Sequence, residues 1–210
     1  MQKQTRDFDT AAATWDEEPK RLKLAGDIAA TIKASIPLSS SMDMMDFGCG
    51  TGLLALQLHP LVGSVTGVDS SKGMLEILAA KAENMGLANV SVLHRDMAKG
   101  DALEGSFDLI TCSMAFHHIP DTRQTLHCLH ERLKPGGYLA VADLDPDDGQ
   151  FHEDATGVHH NGFDRVQMKA MFEQAGLADV GYVTATTVKK PSAEGELRAF
   201  DIFLITGRRP

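Results

Sequence analysis

The chain has 210 residues, of which 20 are basic and 29 acidic, so its formal net charge is −9 with neutral histidine. Apolar residues at 43% and charged residues at 23% are ordinary for a globular domain, and they exclude a largely disordered chain. The acidic balance argues against broad binding to nucleic acid or anionic membranes, because clustered lysine and arginine hold those partners.

Along the chain, short apolar runs alternate with amphipathic stretches, which is the pattern of a mostly parallel α/β sheet. Helices are predicted over 18–34 and over 71–85, where Gly86 ends the second one. Asp164 is predicted to begin a later helix, and we expect helices between the first six strands. The predicted strands are 43–47, 62–68, 90–94, 107–113, 138–144, 180–188 and 199–206.

The last two predicted strands determine how the predicted sheet ends. The polar segment 189–197 is short enough for a hairpin connection, so the last two strands are predicted to be antiparallel neighbours. We therefore predict a single α/β domain over 1–210, with a Rossmann-like, seven-stranded, mostly parallel sheet, an antiparallel last strand and helices on both faces. Three cysteines, and no apolar leader or run of membrane-spanning length, favour a cytoplasmic protein.

The ligand site is expected beyond the carboxyl ends of the strands. The first strand continues into the glycine loop, residues 46–52, where Gly48 and Gly50 allow positive φ and close approach of a ligand to the backbone. The second strand ends in Asp69 and Ser70, and an acid at this place can accept hydrogen bonds from two ribose hydroxyls. The loop and the acid, at the ends of adjacent strands, are a stronger signal together than either alone.

Three further segments follow in order: His94-Arg95-Asp96-Met97, 107–121 and 133–139, with Phe8, Trp15 and Asp16 upstream of the first strand. In these segments and the glycine loop the chain resembles the class I S-adenosylmethionine-dependent methyltransferases, in the small-molecule branch, over nearly its whole length. The resemblance implies that the loop wraps the methionine part of S-adenosylmethionine. It also implies an aromatic–acid lid within the N-terminal segment 1–36.

The resemblance assigns specific residues to the cofactor. Asp69 would hold the ribose and Ser70 would lie beside the adenine, while Asp96 accepts from the adenine amino group and the Met97 N–H meets a ring nitrogen. Three plainer roles stay open, because Asp46 could tie together the amides of its own loop, Asp96 could be a turn residue and Trp15 could be an ordinary packed aromatic. The full cofactor-binding prediction is Trp15, Asp46, Gly48, Gly50, Asp69, Ser70, Asp96, Met97 and Ser113.

Histidines concentrate in the expected site loops. His118 is the candidate general base or acceptor-orienting group, because it follows the fourth strand beside the expected position of the methyl group. The long loop 145–163 is predicted to cover the acceptor pocket. Its histidines, His152, His159 and His160, match no metal-binding spacing, so no metal is expected.

The predicted function is methyl transfer from S-adenosylmethionine to a small-molecule acceptor by in-line displacement, with S-adenosylhomocysteine as product. The alternatives are an NAD-dependent dehydrogenase and a non-catalytic S-adenosylmethionine-binding regulatory protein. A nucleic-acid acceptor is disfavoured, because Ser113-Met114-Ala115-Phe116 stands where amino-methylating enzymes of that class carry an Asn/Asp-Pro-Pro-aromatic motif. Neither nucleic acid nor membrane is expected as a partner, a protein acceptor stays open, and the sequence does not encode the acceptor atom or the oligomeric state.

Overall fold

Seven apolar runs pair into one sheet in the computed structural model, which describes residues 6–191 and 196–210. The sheet order is β3-β2-β1-β4-β5-β7-β6. Neighbouring strands among β1 to β5 are parallel, and β7 runs antiparallel to both β5 and β6, which confirms the predicted fold class. The strands are β1 (Asp43–Phe47), β2 (Ser64–Asp69), β3 (Val90–His94), β4 (Phe107–Ser113), β5 (Leu133–Leu144), β6 (Ala178–Pro191) and β7 (Leu197–Arg208).

Helices cover both faces of the sheet, because successive strand residues point to opposite faces. In β1, Met44 packs in one core with Ile28 and Ile32, whereas Met45 packs in a second core with Leu126 and Phe172. The helices are α1 (Phe8–Ala11), α2 (Pro19–Ser35), α3 (Ala55–Leu58), α4 (Lys72–Asn84), α5 (Thr122–Arg132) and α6 (Arg165–Gln174). None of the helices in the described residues is both long and apolar enough to cross a bilayer.

The ends of several helices follow the predicted side-chain signals. Asp121 accepts from the Gln124 N–H and Asp164 accepts from the Gln167 N–H, each at 2.9 Å, so both act as N-caps. Gly86 lies just beyond α4 with a φ of +68°, which is the left-handed conformation expected of a glycine that ends a helix.

Two sequence predictions about connections are wrong. No α-helix lies between β3 and β4, where the described chain has only the short 3₁₀ turn Met97–Lys99. The strand predicted over 138–144 begins earlier, at Leu133, because Leu133 already pairs with Phe107 of β4, and residues 134–137 then form an irregular bulge before pairing resumes at Tyr138. A Cβ on Gly137 would lie 3.0 Å from the Asp108 carbonyl oxygen, so glycine permits this close passage.

The last two strands are longer than predicted, and their extension reaches the ligand edge. β6 pairs with β7 up to Pro191 and Leu197, so residues 189–191 and 197 of the predicted connection are paired strand. Residues 192–195 lie outside the described residues. Because β6 is parallel to β1, its distal end lies at the carboxyl edge of the sheet. We call Thr186–Pro191 with Leu197–Ile202 the hairpin extension.

Candidate active site

A cavity of about 960 Å³ opens at the carboxyl edge of the sheet. Its volume is at the upper end of the range for small-molecule sites, roughly 300–1,000 Å³, so it can hold a nucleoside and a second small molecule. Its walls come from the N-terminal segment, the strand-end loops, the 145–163 loop and the hairpin extension. All ten residues predicted for cofactor or catalysis contribute to it: Trp15, Asp46, Gly48, Gly50, Asp69, Ser70, Asp96, Met97, Ser113 and His118.

The glycine loop has the backbone that its sequence predicts. Gly48, Gly50 and Gly52 all have positive φ, between +52° and +81°. A Cβ on Gly48 would lie 2.6 Å from the Ala115 Cβ, whereas one on Gly50 would meet nothing nearer than the Met74 Sδ at 3.9 Å. Gly48 is therefore needed for packing, and Gly50 leaves open space on the cavity side.

Gly52 is also needed for packing, so alanine substitutions at Gly52 and Gly50 should separate a packed position from an open one. Gly52→Ala places a Cβ 2.3 Å from the buried Leu78 Cδ1 at a φ of +81°, so we expect a loss of roughly 2–5 kcal/mol of unfolding free energy. Gly50→Ala carries only the cost of its left-handed backbone, about 1–2 kcal/mol. Urea unfolding of both variants measures the difference, and equal losses would contradict the packing role of Gly52.

Asp69 connects the loops that follow β1 and β2. Its Oδ2 accepts from the Gly50 N–H and its Oδ1 accepts from the Ser71 N–H, both at 2.8 Å. Burial raises the pKa of this carboxyl, and the backbone donors oppose that rise. Each carboxylate oxygen can accept more than one hydrogen bond, so the two loop contacts leave capacity for hydroxyl donors in the cavity.

Asp46 is buried at the end of β1. Its Oδ1 accepts from the Thr111 hydroxyl at 2.7 Å. Burial raises its pKa to about 7, and the nearby charge of Asp69 adds to the rise while the Thr111 bond opposes it. A carboxyl in this state ionises readily when a cation enters the cavity.

The Asp96 carboxylate already has partners on its own turn. Its Oδ1 accepts from the Ala98 N–H at 3.1 Å, and its Oδ2 lies 2.9 Å from the Lys99 ammonium. Asp96 therefore caps the 3₁₀ turn at Met97, in agreement with the turn role, and it also lies in the cavity wall where the adenine role would need it.

The N-terminal segment is fastened to both cofactor loops. Asp16 accepts from the Thr51 hydroxyl at 2.6 Å and pairs with Lys81. Asp9 accepts from the Ser71 hydroxyl at 2.5 Å and from the Gly73 N–H at 2.8 Å. These two acids hold the N-terminal segment against the glycine loop and the start of α4, and its action as a lid stays a prediction.

Two aromatic side chains of the N-terminal segment lie next to these anchors in the sequence. Trp15 packs edge-on against Phe8, with ring centroids 6.0 Å apart. The Arg21 guanidinium lies over the Trp15 ring, 3.8 Å from its centroid, and donates to the Trp15 carbonyl at 2.9 Å. Trp15 is thus a packed aromatic that also faces the cavity.

Three imidazole rings meet in the half of the cavity away from Asp69. The ring of His117 lies 4.2 Å from that of His118 and 4.7 Å from that of His152, centroid to centroid. His117 Nδ1 is 2.8 Å from the buried carboxylate of Asp143, which fixes the orientation of its ring. We call His117, His118 and His152 the histidine cluster.

Two members of the histidine cluster are uncharged at neutral pH. Burial is the largest cause and the charge of His117 the second, and they lower the pKa of His118 to about 4 and that of His152 to about 3. His118 Nδ1 lies 2.9 Å from the Gly157 carbonyl oxygen, so Nδ1 carries the proton and Nε2 has a free lone pair. Among the described residues, nothing hydrogen-bonds the buried His152 Nε2.

The other loop histidines hold the chain in place. His160 Nε2 bonds the Ile119 carbonyl oxygen at 2.9 Å, and the His159 N–H donates to the His117 carbonyl at 2.9 Å. Asp145 forms a two-pronged ion pair with Arg165. Within the part of the chain that the structure describes, no three His, Cys, Asp or Glu side chains are grouped to hold a metal ion.

Known proteins resemble the chain over the same region. Residues 44–137 match the family model for a methyltransferase domain. The sequence is also 34% identical, over 174 residues and 76% of this chain, to an uncharacterized methyltransferase of Schizosaccharomyces pombe. Residues 44–137 therefore form a methyltransferase domain. The chain spans 61% of the length of that relative, so part of the relative has no counterpart here.

Solved structures share the class I methyltransferase fold. A Haloferax volcanii protein, solved in complex with the Trm112 methyltransferase activator, superimposes with a TM-score of 0.76 at 21% identity and covers 98% of this chain and 99% of its own. A phosphoethanolamine N-methyltransferase of Haemonchus contortus, solved with S-adenosyl-L-methionine, gives 0.70 at 18% identity over 88% of this chain and 52% of its own.

Sequence reasoning missed several residues of this cavity wall. Asp143 lies within the predicted strand 138–144. A lone acid in a buried apolar run indicates that the carboxylate has a polar partner, which here is His117. Met114, which has a positive φ of 54° and lies in the cavity wall, carried no signal, because glycine or asparagine is usual in that conformation. Arg21 and Lys190 reach the cavity from opposite ends of the sequence.

Proposed function

We propose that this protein transfers the methyl group of S-adenosylmethionine to a small-molecule acceptor. One observation carries the proposal: the glycine loop, Asp69 and Asp96 lie along one part of a single cavity, and the histidine cluster lies along another. The cavity has room for both reactants. The class I family and the cofactor bound to the Haemonchus enzyme support the choice of S-adenosylmethionine.

When bound, the cofactor would supply both the electrophilic methyl group and its leaving group, so the protein needs no nucleophile of its own. The S–CH₃ bond breaks as the bond from the acceptor atom forms, and a protic acceptor gives up one proton. The residues of the chain align the two reactants and exclude water, and alignment alone can contribute about 7–11 kcal/mol. The fastened lid and the 145–163 loop would provide that exclusion.

His118 is proposed to orient the acceptor and to receive its proton. Its free Nε2 lone pair can accept a hydrogen bond from an acceptor hydroxyl or amine, and its low pKa keeps it unprotonated at neutral pH. Such a weak base takes the proton only as the new bond forms, so its share of the rate is modest.

Replacing His118 by glutamine should lower turnover at saturating acceptor by about 10- to 100-fold. The affinity for S-adenosylhomocysteine should stay within about threefold, because the ring does not belong to the proposed cofactor contacts. His127→Gln, on the exposed side of α5, is the matched control. Unchanged turnover in the His118 variant would remove the residue from the mechanism.

The function is tested first by binding and then by turnover. Calorimetric titrations with S-adenosylmethionine, S-adenosylhomocysteine and NAD(H) are expected to show one-to-one binding of the first two alone. Release of S-adenosylhomocysteine is then followed across an acceptor library. Binding of NAD(H) alone would favour the dehydrogenase, and cofactor binding without turnover of any acceptor would favour a regulatory protein.

A further inference from the structure

Four cations surround the acceptor half of the cavity of this acidic chain. Arg6 lies in the N-terminal segment, Lys20 and Arg21 belong to α2, and Lys190 belongs to the hairpin extension; all four contribute to the cavity wall. These four cations share one cavity wall although the chain as a whole carries a formal net charge of −9. A local field of this kind attracts and orients an anionic ligand.

Lys190 is held in the wall without a carboxylate partner. Its ammonium donates to the Phe151 carbonyl at 2.7 Å and lies 4.0 Å from the centroid of the Phe151 ring. Among the described residues, no acid lies within ion-pair distance of it. Burial lowers its pKa, and the charges of Lys20 and Arg21 lower it further, although Glu153 and Glu18 partly compensate. A half-buried ammonium in this position is stabilised by any anion that enters the cavity.

Arg21 offers the second donor group. Its guanidinium is fixed on the face of Trp15, and Nη1 is used by the Trp15 carbonyl. A guanidinium has five N–H donors, and the described residues account for one of them. The nearby Arg6, 5.9 Å from the same ring, lowers the pKa of Arg21 after the larger effect of burial. Planar, preoriented donors of this type match a carboxylate or a phosphate.

Phe151 and His152 connect Lys190 to the rest of the histidine cluster along the cavity wall. Lys190 contacts Phe151, whose ring centroid lies 5.0 Å from that of His152. The His152 ring in turn lies 5.9 Å from the ring of His118. The wall between the ammonium and His118 is therefore made of Phe151 and His152, which suits an apolar or flat middle section in the ligand.

Three acids of the cavity wall, Glu18, Glu153 and Asp154, do not neutralise Lys190. Asp154 is committed to its own turn, where its Oδ1 accepts from the Thr156 N–H at 2.9 Å. Glu153 and Glu18 are exposed, and their effect on Lys190 is a longer-range one. Exposed carboxylates are well screened by water and salt, whereas the half-buried ammonium is not.

We propose that the methyl acceptor is a small molecule with a carboxylate or phosphate at one end, which Lys190 and Arg21 bind, and its methyl-accepting atom at the other end, beside His118. This inference rests on the proposed function, and it adds the chemical class of the acceptor. It makes the hairpin extension part of the acceptor site, with Lys190 as a specificity-determining residue.

The test compares matched anionic and neutral probes. Protein saturated with S-adenosylhomocysteine is titrated in a calorimeter with 4-hydroxybenzoate, phenyl phosphate and the neutral 4-hydroxybenzamide. We expect at least one of the two anions to bind about tenfold or more tightly than the amide, as a charge-assisted contact implies. Comparison of 4-hydroxybenzoate with phenyl phosphate then shows whether the site prefers a carboxylate or a phosphate.

Variants of neighbouring lysines then locate the effect. Lys190→Gln should abolish the preference for the anion, and Lys189→Gln should retain it, because Lys189 is exposed, next to Lys190 on β6, and outside the cavity wall. Both variants should bind S-adenosylhomocysteine like the wild type.

The outcomes separate the two proposals. Failure of S-adenosylhomocysteine to bind the wild type would overturn the proposed function itself. Normal S-adenosylhomocysteine binding overturns only the anion proposal if no anion binds, if the amide binds as tightly as the anions, or if Lys190→Gln keeps the anion preference.

Discussion

Replacing Asp69 by alanine is expected to weaken binding of S-adenosylhomocysteine by at least about 100-fold. In the proposed complex the carboxylate accepts from two ribose hydroxyls, and hydrogen bonds to a charged group contribute roughly 1.5–3 kcal/mol each. The same change removes the acceptor of the Gly50 and Ser71 N–H groups, which loosens the loop that faces the ligand. Calorimetric titration of the variant measures the loss.

A matched control separates ligand contact from loss of a structural hydrogen bond. Asp164→Ala also removes a carboxylate that accepts from a backbone N–H, at the start of α6 and outside the cavity wall. Loss of such a cap costs about 1 kcal/mol of stability. The control should lower the unfolding free energy and leave the affinity for S-adenosylhomocysteine unchanged. An Asp69 variant that binds within threefold of wild type would refute the ribose assignment.

Cofactor affinity is expected to rise with pH, by up to about tenfold per unit below pH 7. The cause is Asp46, whose buried carboxyl has a pKa of about 7 in the free protein and is therefore mostly protonated at pH 6. S-adenosylmethionine brings a sulfonium and an ammonium, and the family resemblance places its methionine part at this loop. A cation there favours the carboxylate, so binding releases a proton.

The same carboxyl is expected to make the unfolding free energy of the ligand-free protein fall as the pH rises. The pKa of Asp46 is about 7 when folded and about 3.9 when unfolded, so between these values the folded state binds more protons. The contribution of Asp46 to the unfolding free energy is at most about 4 kcal/mol. It is fully present below about pH 4 and is lost as the pH rises through 7. Asp46→Asn should remove both this loss and the pH dependence of cofactor affinity.

These two expectations are checked with titrations and urea unfolding from about pH 5 to pH 8, the wild type against each variant. Asp43→Asn is the control, because Asp43 lies on the same strand, outside the cavity wall, and Lys134 lowers its pKa. That variant should retain the rise of affinity with pH. Affinity that is flat with pH in the wild type would show that Asp46 stays neutral in the complex.

Sequence patterns identified the cofactor side of the site because each of its features is local. The glycine loop, Asp69 and Asp96 each directly follow a strand, and the parallel order of β1, β2 and β3 brings these loops to one edge. The structure places all of these residues in one cavity wall, and their ligand contacts stay predictions until binding is measured.

The acceptor side depends on contacts between distant parts of the chain, which no local pattern encodes. His117, which follows β4, bonds Asp143 of β5, and Lys190 bonds Phe151, which lies 39 residues away in the sequence. The length of the hairpin extension was missed for a related reason. Its polar residues gain ladder hydrogen bonds without the alternation of buried side chains that identifies a strand.

The hairpin extension also separates the evolution of the two ligand sites. Apart from Trp15, the residues proposed to bind the cofactor lie at the ends of β1 to β4, whereas His152 follows β5 and Lys190 lies on β6, in the other half of the sheet. The outer strand β6 is mostly exposed, so its length and side chains can vary with little effect on either core. Acceptor preference can therefore diverge, or be re-engineered, by grafting new β6–β7 tips while the nucleotide-facing half is kept intact.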